Sequence, residues 1–412
     1  MRRLAKILIA GTVLAIQTSP ALNPVATSQS TVDNNQVQLG DVFTTQTLNV
    51  VDVSGSTTAT TNASGNTVSS TVVTGGLNVQ SGQTMSGQAN AQTTVNVTTN
   101  AGTQTTINTS ALGNGSDVGS YGGGPVTGTI TQTAGPSQIL ATSNFNGQYA
   151  QTGAASLNVQ AMANSHGVTV SDTSANTTSV QTSSASTEAD GGAVLQYTAG
   201  TATASASGVS NNLTVSGSGN ASQTLTATQT MTGPLTQATQ SINLGNGQTI
   251  QSNATSSGNN IYVTNENGPV SVADNQSNAG YTFAQSVATG YQFGTGQAVS
   301  DAIGDSVLVG NAGPSVSLDN TQSNTGGTVS NASFSGTTGY DAGASASASG
   351  NAVTGFACSD CGGVDNIKNN QTNGGGVQAN ASIDILGSNR SVNSTAAAVG
   401  NTATFYVSKP SH

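Results

Sequence analysis

The sequence predicts an all-β fold organised as a repetitive, β-helix-like β-solenoid. Three observations lead there. Apolar residues alternate with period two, a Gly-Asn frame recurs at a nearly constant step, and helix signals are almost absent beyond residue 21. Tandem β-sandwich modules and partly disordered repeats are the alternatives.

The elements follow in chain order. Met1 to Lys6 is basic, Ile7 to Ile16 is apolar, and Ser19-Pro20-Ala21 supplies small residues, so 1–21 reads as a secretory signal peptide. Residues 22–200 hold degenerate β repeats, marked by Gly65-Asn66, Gly113-Asn114 and Gly167-Val168, and a further weak copy runs from Gly208 to Val215. Residues 201–400 hold the clearer repeats. The frames around Gly258 (SSGNNIYVTNENGPVSVADNQSNAG) and Gly304 (AIGDSVLVGNAGPSVSLDNTQSNTG) align with one around Gly350, in steps of 46 residues. A partial copy starts at Gly400-Asn401, and 401–412 reads as a C-terminal cap or tail.

Strands come from the alternation. Thr224, Thr226, Thr228, Thr230 and Thr232 share one face, and Leu225, Ala227, Gln229 and Met231 share the other. Asn267-Gly268-Pro269 and Ala312-Gly313-Pro314 predict turns. Two coils of about 23 residues per repeat would give about 17 rungs and a rod of roughly 80 Å. Asn and Gln at matched positions could stack as hydrogen-bonded ladders. The predicted ladder residues are Asn275, Gln276 and Asn278, then Asn320, Gln322 and Asn324, then Asn370, Gln371 and Asn373.

Composition narrows the function classes. There are 6 Lys+Arg against 16 Asp+Glu, and no cation lies between Lys6 and Lys368. Phosphate recognition needs clustered cations, so nucleic acid is excluded as a partner, and an anionic membrane surface is a poor one. Leu, Ile, Val and Phe are sparse, but low charge, only 8 Pro and abundant Val and Thr favour ordered strands over disorder.

No catalytic constellation emerges. Cys358 and Cys361 form a C-x-x-C at the turn where sister repeats carry Asn-Gly-Pro and Ala-Gly-Pro. In an exported chain a local disulfide is the simplest reading, with a partner-directed thiol and a redox or metal role as alternatives. His166 stands alone beside Gly167 and reads as a turn histidine. Asp301 and Asp305 could mimic a glycosidase pair, but Asp305 falls where other repeats have Asn, and turn chemistry explains it better. Aromatic stacking on sugar is poorly supported, because Trp is absent and Phe and Tyr are few. No catalytic, metal or cofactor residue is assigned.

The opening MRRLAKILIAGTVLAIQ, the repeats at Gly258, Gly304 and Gly350, and the Asn-x-Gln blocks carry a family resemblance. The chain is similar to bacterial surface adhesins, and it most resembles the holdfast-anchoring D proteins of stalked alphaproteobacteria. The resemblance implies an exported, non-enzymatic structural protein, associated with the outer membrane at the cell pole or stalk tip, that anchors an adhesive polysaccharide. The implied partners are that polysaccharide, a small curlin-like anchor subunit and a lipoprotein secretion channel. The Gln/Asn content leaves self-association as an amyloid-like fibre subunit, and the β-helix reading leaves a polysaccharide-acting enzyme, as alternatives.

Overall fold

The computed structural model describes residues 29–358 and 364–408. The predicted signal peptide and Cys361 lie outside the described residues. Everything described is strand or connecting turn, in eight successive layers. The first three layers have three strands each: β1 (Gln29–Gln38), β2 (Val42–Asp52), β3 (Ser56–Val72); β4 (Gly76–Met85), β5 (Ala89–Asn100), β6 (Gln104–Tyr121); β7 (Val126–Ala134), β8 (Gln138–Thr152), β9 (Ala155–Ser171). In the next four the second and third strands merge: β10 (Ser174–Ser183), β11 (Ser186–Ser218); β12 (Ser222–Met231), β13 (Leu235–Asn265); β14 (Val270–Asn278), β15 (Tyr281–Asn311); β16 (Ser315–Asn324), β17 (Thr328–Cys358). The eighth layer is β18 (Val364–Asn373), β19 (Val377–Ile385) and β20 (Ser391–Ser408).

Each strand pairs in parallel with its equivalent one repeat later. Thus Gln223 faces Val270, Val270 faces Val316 and Val316 faces Asp365. The short strands form one row, β1-β4-β7-β10-β12-β14-β16-β18. The second row runs from β2 to β19 and the third from β3 to β20, joined through the long strands. This all-parallel layering is consistent with a β-solenoid. Tandem sandwiches, which need antiparallel neighbours within each module, do not describe it.

One expectation is corrected. A repeat of 46 residues makes one layer, not two, because its residues are shared among three rows. The stack therefore has eight layers, about 38 Å at one strand spacing each. It continues without a break through residues 200 and 401, inside β11 and β20.

Period two does the packing. Leu225, Ala227, Gln229 and Met231 of β12 are buried, while Thr224 and Thr226 are exposed. Two apolar clusters result. Between the second row and the start of the third, small residues such as Ala202, Ala204, Ala344 and Ala346 let the rows approach around Phe145, Phe334 and Ile107. Between the first row and the end of the third, Val and Leu dominate, as in Val79, Leu213, Val263 and Leu318. A neighbouring layer buries what one layer leaves open, so the two end layers stay partly exposed: Val37, Leu39 and Phe43 at one end, Leu386 and Val392 at the other.

Candidate functional site

The first-row strands place a glutamine at one inward position in every layer: Gln36, Gln83, Gln132, Gln181, Gln229, Gln276, Gln322 and Gln371. Each Nε2 donates to the Oε1 of the preceding layer at 2.7–2.9 Å, from Gln83 onto Gln36 through to Gln371 onto Gln322. The second Nε2 proton reaches a third-row carbonyl, such as Gly115 O from Gln83 and Asn212 O from Gln181. Both donors and the acceptor are thus used, and the column ties two rows together.

The third row answers with Asn66, Asn114, Asn164, Asn211 and Asn259. Each Nδ2 donates to the Oδ1 of the following layer at 2.8–2.9 Å for the first four, and Asn259 donates to Asp305 Oδ1 at 2.7 Å. The second protons bond first-row carbonyls, as Asn211 does with Thr230 O. The two columns donate in opposite directions along the stack, so their amide dipoles oppose. Just before the next column position, Asp305, a Cβ at Gly304 would meet Gly350 O of the following layer at 2.4 Å.

Asp305 interrupts the asparagine column. It is mid-strand and fully buried, which corrects the turn reading. Burial pushes its pKa up to about 8, against a counter-effect from Asn259. Its Oδ2 and the Oδ1 of Asn351, its partner in register, both lack a hydrogen-bond partner. Beyond the gap the column resumes, with Asn351 donating to Asn401 Oδ1 at 2.7 Å.

The other nominated residues divide. Gln276, Gln322 and Gln371 share the buried glutamine column. Asn278, Asn324 and Asn373 share a register position; Asn278 and Asn324 donate to Thr282 and Thr328 Oγ1, both at 3.2 Å, and Asn324 donates also to Asn373 Oδ1 at 3.0 Å. Asn275, Asn320 and Asn370 do not align. Asn275 and Asn370 face Thr321 on the exposed side, while Asn320 is buried between Asp274 and Asn369. Its amide lies 2.8 Å from Asp274 Oδ2. Burial, then the charges of Asp305 and Asp319, raises the Asp274 pKa well above the usual range.

Cys358 is buried at the end of β17, beside Ser408 of β20. His166 is not in a turn but inside β9, fully buried between Ser116 and Leu213 of adjacent layers. Burial lowers its pKa to about 4, so it packs as a neutral ring. Asp301 is not brought to Asp305. It alternates with buried Ser300 and Ala302 and so faces outward, whereas Asp305 faces the core.

A feature that the residue list did not anticipate lies where the second row bends into the third. Backbone pairing slips there, between Leu195 and Tyr197 and between Thr198 and Thr201. The irregular corner opens a groove along the stack. One cavity, about 240 Å³, lies between Asn100, Gln151 and Tyr197. The next, about 470 Å³, shares Tyr197 and Ala199 with it and reaches Phe293 and Tyr340. A third, about 400 Å³, shares Gln292, Phe293 and Tyr340 with the second and ends at Arg390. Phe293 forms the floor, held edge-on by Phe334 at 4.9 Å. Arg390 lies 6.0 Å from the Tyr340 ring centroid, with its Nε 3.0 Å from Asp341 Oδ1. Tyr197 and Tyr340 line the groove and are exposed. They do not share a register position: Tyr197 aligns with Gln151, Asn246, Gln292 and Thr338, so the repeat itself carries no signal for the groove.

No curated protein and no solved structure matches the chain. Residues 51–327 match the family described as holdfast attachment protein D, a span covering seven of the eight layers in whole or part. That match takes in well over half of the sequence, and the chain belongs to the holdfast attachment protein D family.

Proposed function

We propose that the chain is an exported, non-enzymatic β-solenoid that anchors an adhesive polysaccharide, the holdfast, to the cell envelope. The observation that carries this reading is the family match over 51–327. The layered body supports it. A stack held by interlayer backbone bonds and amide columns is a stiff scaffold, suited to bearing load between two attachment points. The location is the cell surface, at the outer membrane of the pole or stalk tip. A curlin-like anchor subunit and a lipoprotein secretion channel are the proposed protein partners.

A clean deletion tests it. Cells lacking the chain should still make the polysaccharide but shed it into the medium, with surface attachment lost and restored by the intact gene. Attachment unchanged in the deletion strain would refute the reading.

A further inference from the structure

We propose that the groove along the bend between the second and third rows binds a single strand of a neutral, linear polysaccharide. This deepens the attachment reading and rests on it, since it names the surface that would hold the adhesive polymer.

Four observations point to that ligand. The groove is long and continuous, because Tyr197 and Tyr340 each wall two successive cavities. It runs along the stack, so one polar position recurs per layer, about every 4.8 Å: Gln151, Tyr197, Asn246, Gln292 and Thr338. A polymer presents similar groups repeatedly, and linked contacts raise its affinity over that of a single unit.

The groove also presents polar side chains to solvent. Gln151 in the first cavity, Gln248 and Gln292 in the second, and Thr338 and Ser388 in the third are exposed. Their amides and hydroxyls both donate and accept, as sugar hydroxyls do.

Aromatic surface supplies the rest. Tyr197 and Tyr340 offer exposed rings with polar tips, and Phe293 lies between them on the floor. The C–H face of a pyranose packs on such rings while its hydroxyls reach the flanking amides. Charge then selects the class. Arg390, the groove's one cation among the described lining residues, is already engaged by Asp341. No uncommitted positive charge is left to hold a polyanion.

Calorimetric titration of the full-length mature protein with cellohexaose and with chitohexaose tests this. At least one hexamer should bind, and its disaccharide should bind at least about tenfold more weakly. Tyr197→Ala/Tyr340→Ala should weaken the hexamer about tenfold or more, while Tyr121→Ala, outside the groove, leaves it unchanged. If the double variant misfolds by circular dichroism, Tyr340→Ala alone, at a position 66% exposed, carries the test. Absence of binding by both hexamers, or equal binding by the groove variant, overturns the proposal. In cells the groove variant should shed holdfast like the deletion. A deletion that detaches cells beside a groove variant that holds them would refute the groove and leave the attachment role standing.

Discussion

Replacing Gln181 by leucine should lower the stability of the folded chain by about 3–5 kcal/mol. Gln181 sits in the fourth layer, fully buried, in the middle of the glutamine column. Its Nε2 donates to Gln132 Oε1 and to Asn212 O, both at 2.8 Å, and its Oε1 accepts from Gln229 Nε2 at 2.7 Å. Leucine matches the volume but removes all three bonds. The partners stay in place, held by their own layers: Gln132 Oε1 loses its mate, Gln229 Nε2 keeps only Asn260 O, and the part-buried Asn212 O loses one bond, at about 1–3 kcal/mol for each stranded group. Added apolar burial offsets a part of that sum. Gln36→Leu is the internal comparison. Gln36 is half-buried in the first described layer; it donates only to the exposed Thr67 O, and Gln83 Nε2, which donates to it, keeps Gly115 O, so its loss should cost about 1 kcal/mol or less. Urea unfolding of both variants checks the difference. Equal losses would mean that the buried column contributes little.

Asp305→Asn should stabilise the chain at pH 8 by a few kcal/mol and flatten its pH dependence. Folding raises the Asp305 pKa from 3.8 to about 8 because burial disfavours the carboxylate. Below about pH 4 the carboxyl is protonated in both folded and unfolded chains, and its contribution is fully present. Between there and about pH 8 the unfolded chain releases the proton while the folded chain keeps it, so stability falls as pH rises. Above about pH 8 both forms are ionised and the loss levels off. Asparagine has no proton to lose. It also supplies an N–H toward Asn351 Oδ1, which lacks a partner in the native chain, and so makes the column continuous from Asn66 to Asn401. Asp274 also has a raised pKa and keeps some pH dependence in the variant, reduced because Asp305 is one of its causes. Unfolding curves at pH 5 and pH 8 decide it. A variant whose stability falls between these pH values as much as the native chain's contradicts this assignment.

The strand faces and turns were legible because period-two patterning and Gly-Pro signals are local. Leu225, Gln229 and Met231 point inward as the alternation requires, and 266–269 and 312–314 turn the chain. The upstream markers were misplaced for a specific reason. Where later repeats have Gly before Asn, the third and fourth have Ala163 and Ser210. Following glycine selects Gly167 and Gly208 instead, which gives uneven steps of 54 and 41 residues. Counted from Asn66, Asn114, Asn164, Asn211 and Asn259, the steps are 48, 50, 47 and 48 residues.

The number of layers was not legible, because 46 residues divide as naturally into two coils as into one wide coil. Only the pairing partner decides, and pairing is a long-range property. The ladder list failed where the alignment slipped by one position, as at Asn320. Such a slip moves a side chain from the outer to the inner face, and here it separates exposed Asn275 from buried Asn320. The groove was not legible for a different reason. Eight tyrosines are few, the two that line it stand at different register positions, and the slipped backbone pairing that opens the corner is a long-range property.

One repeat forming one layer is the claim on which the columns, the groove and the load-bearing role all depend. The direct test is disulfide formation between Thr178→Cys and Thr226→Cys, with Cys358 and Cys361 changed to serine. These positions are 48 residues apart in sequence and face each other in the first row. Adjacent parallel strands bring their Cα atoms to about 4.8 Å, within disulfide reach. Two coils per repeat would separate them by about 9.6 Å, beyond it. The structure predicts near-complete cross-linking under mild oxidation, read by mass spectrometry, and none for Thr178→Cys with Ala273→Cys, two layers apart. Absence of the first bond in a folded protein, or formation of the second in its place, would contradict the one-layer repeat.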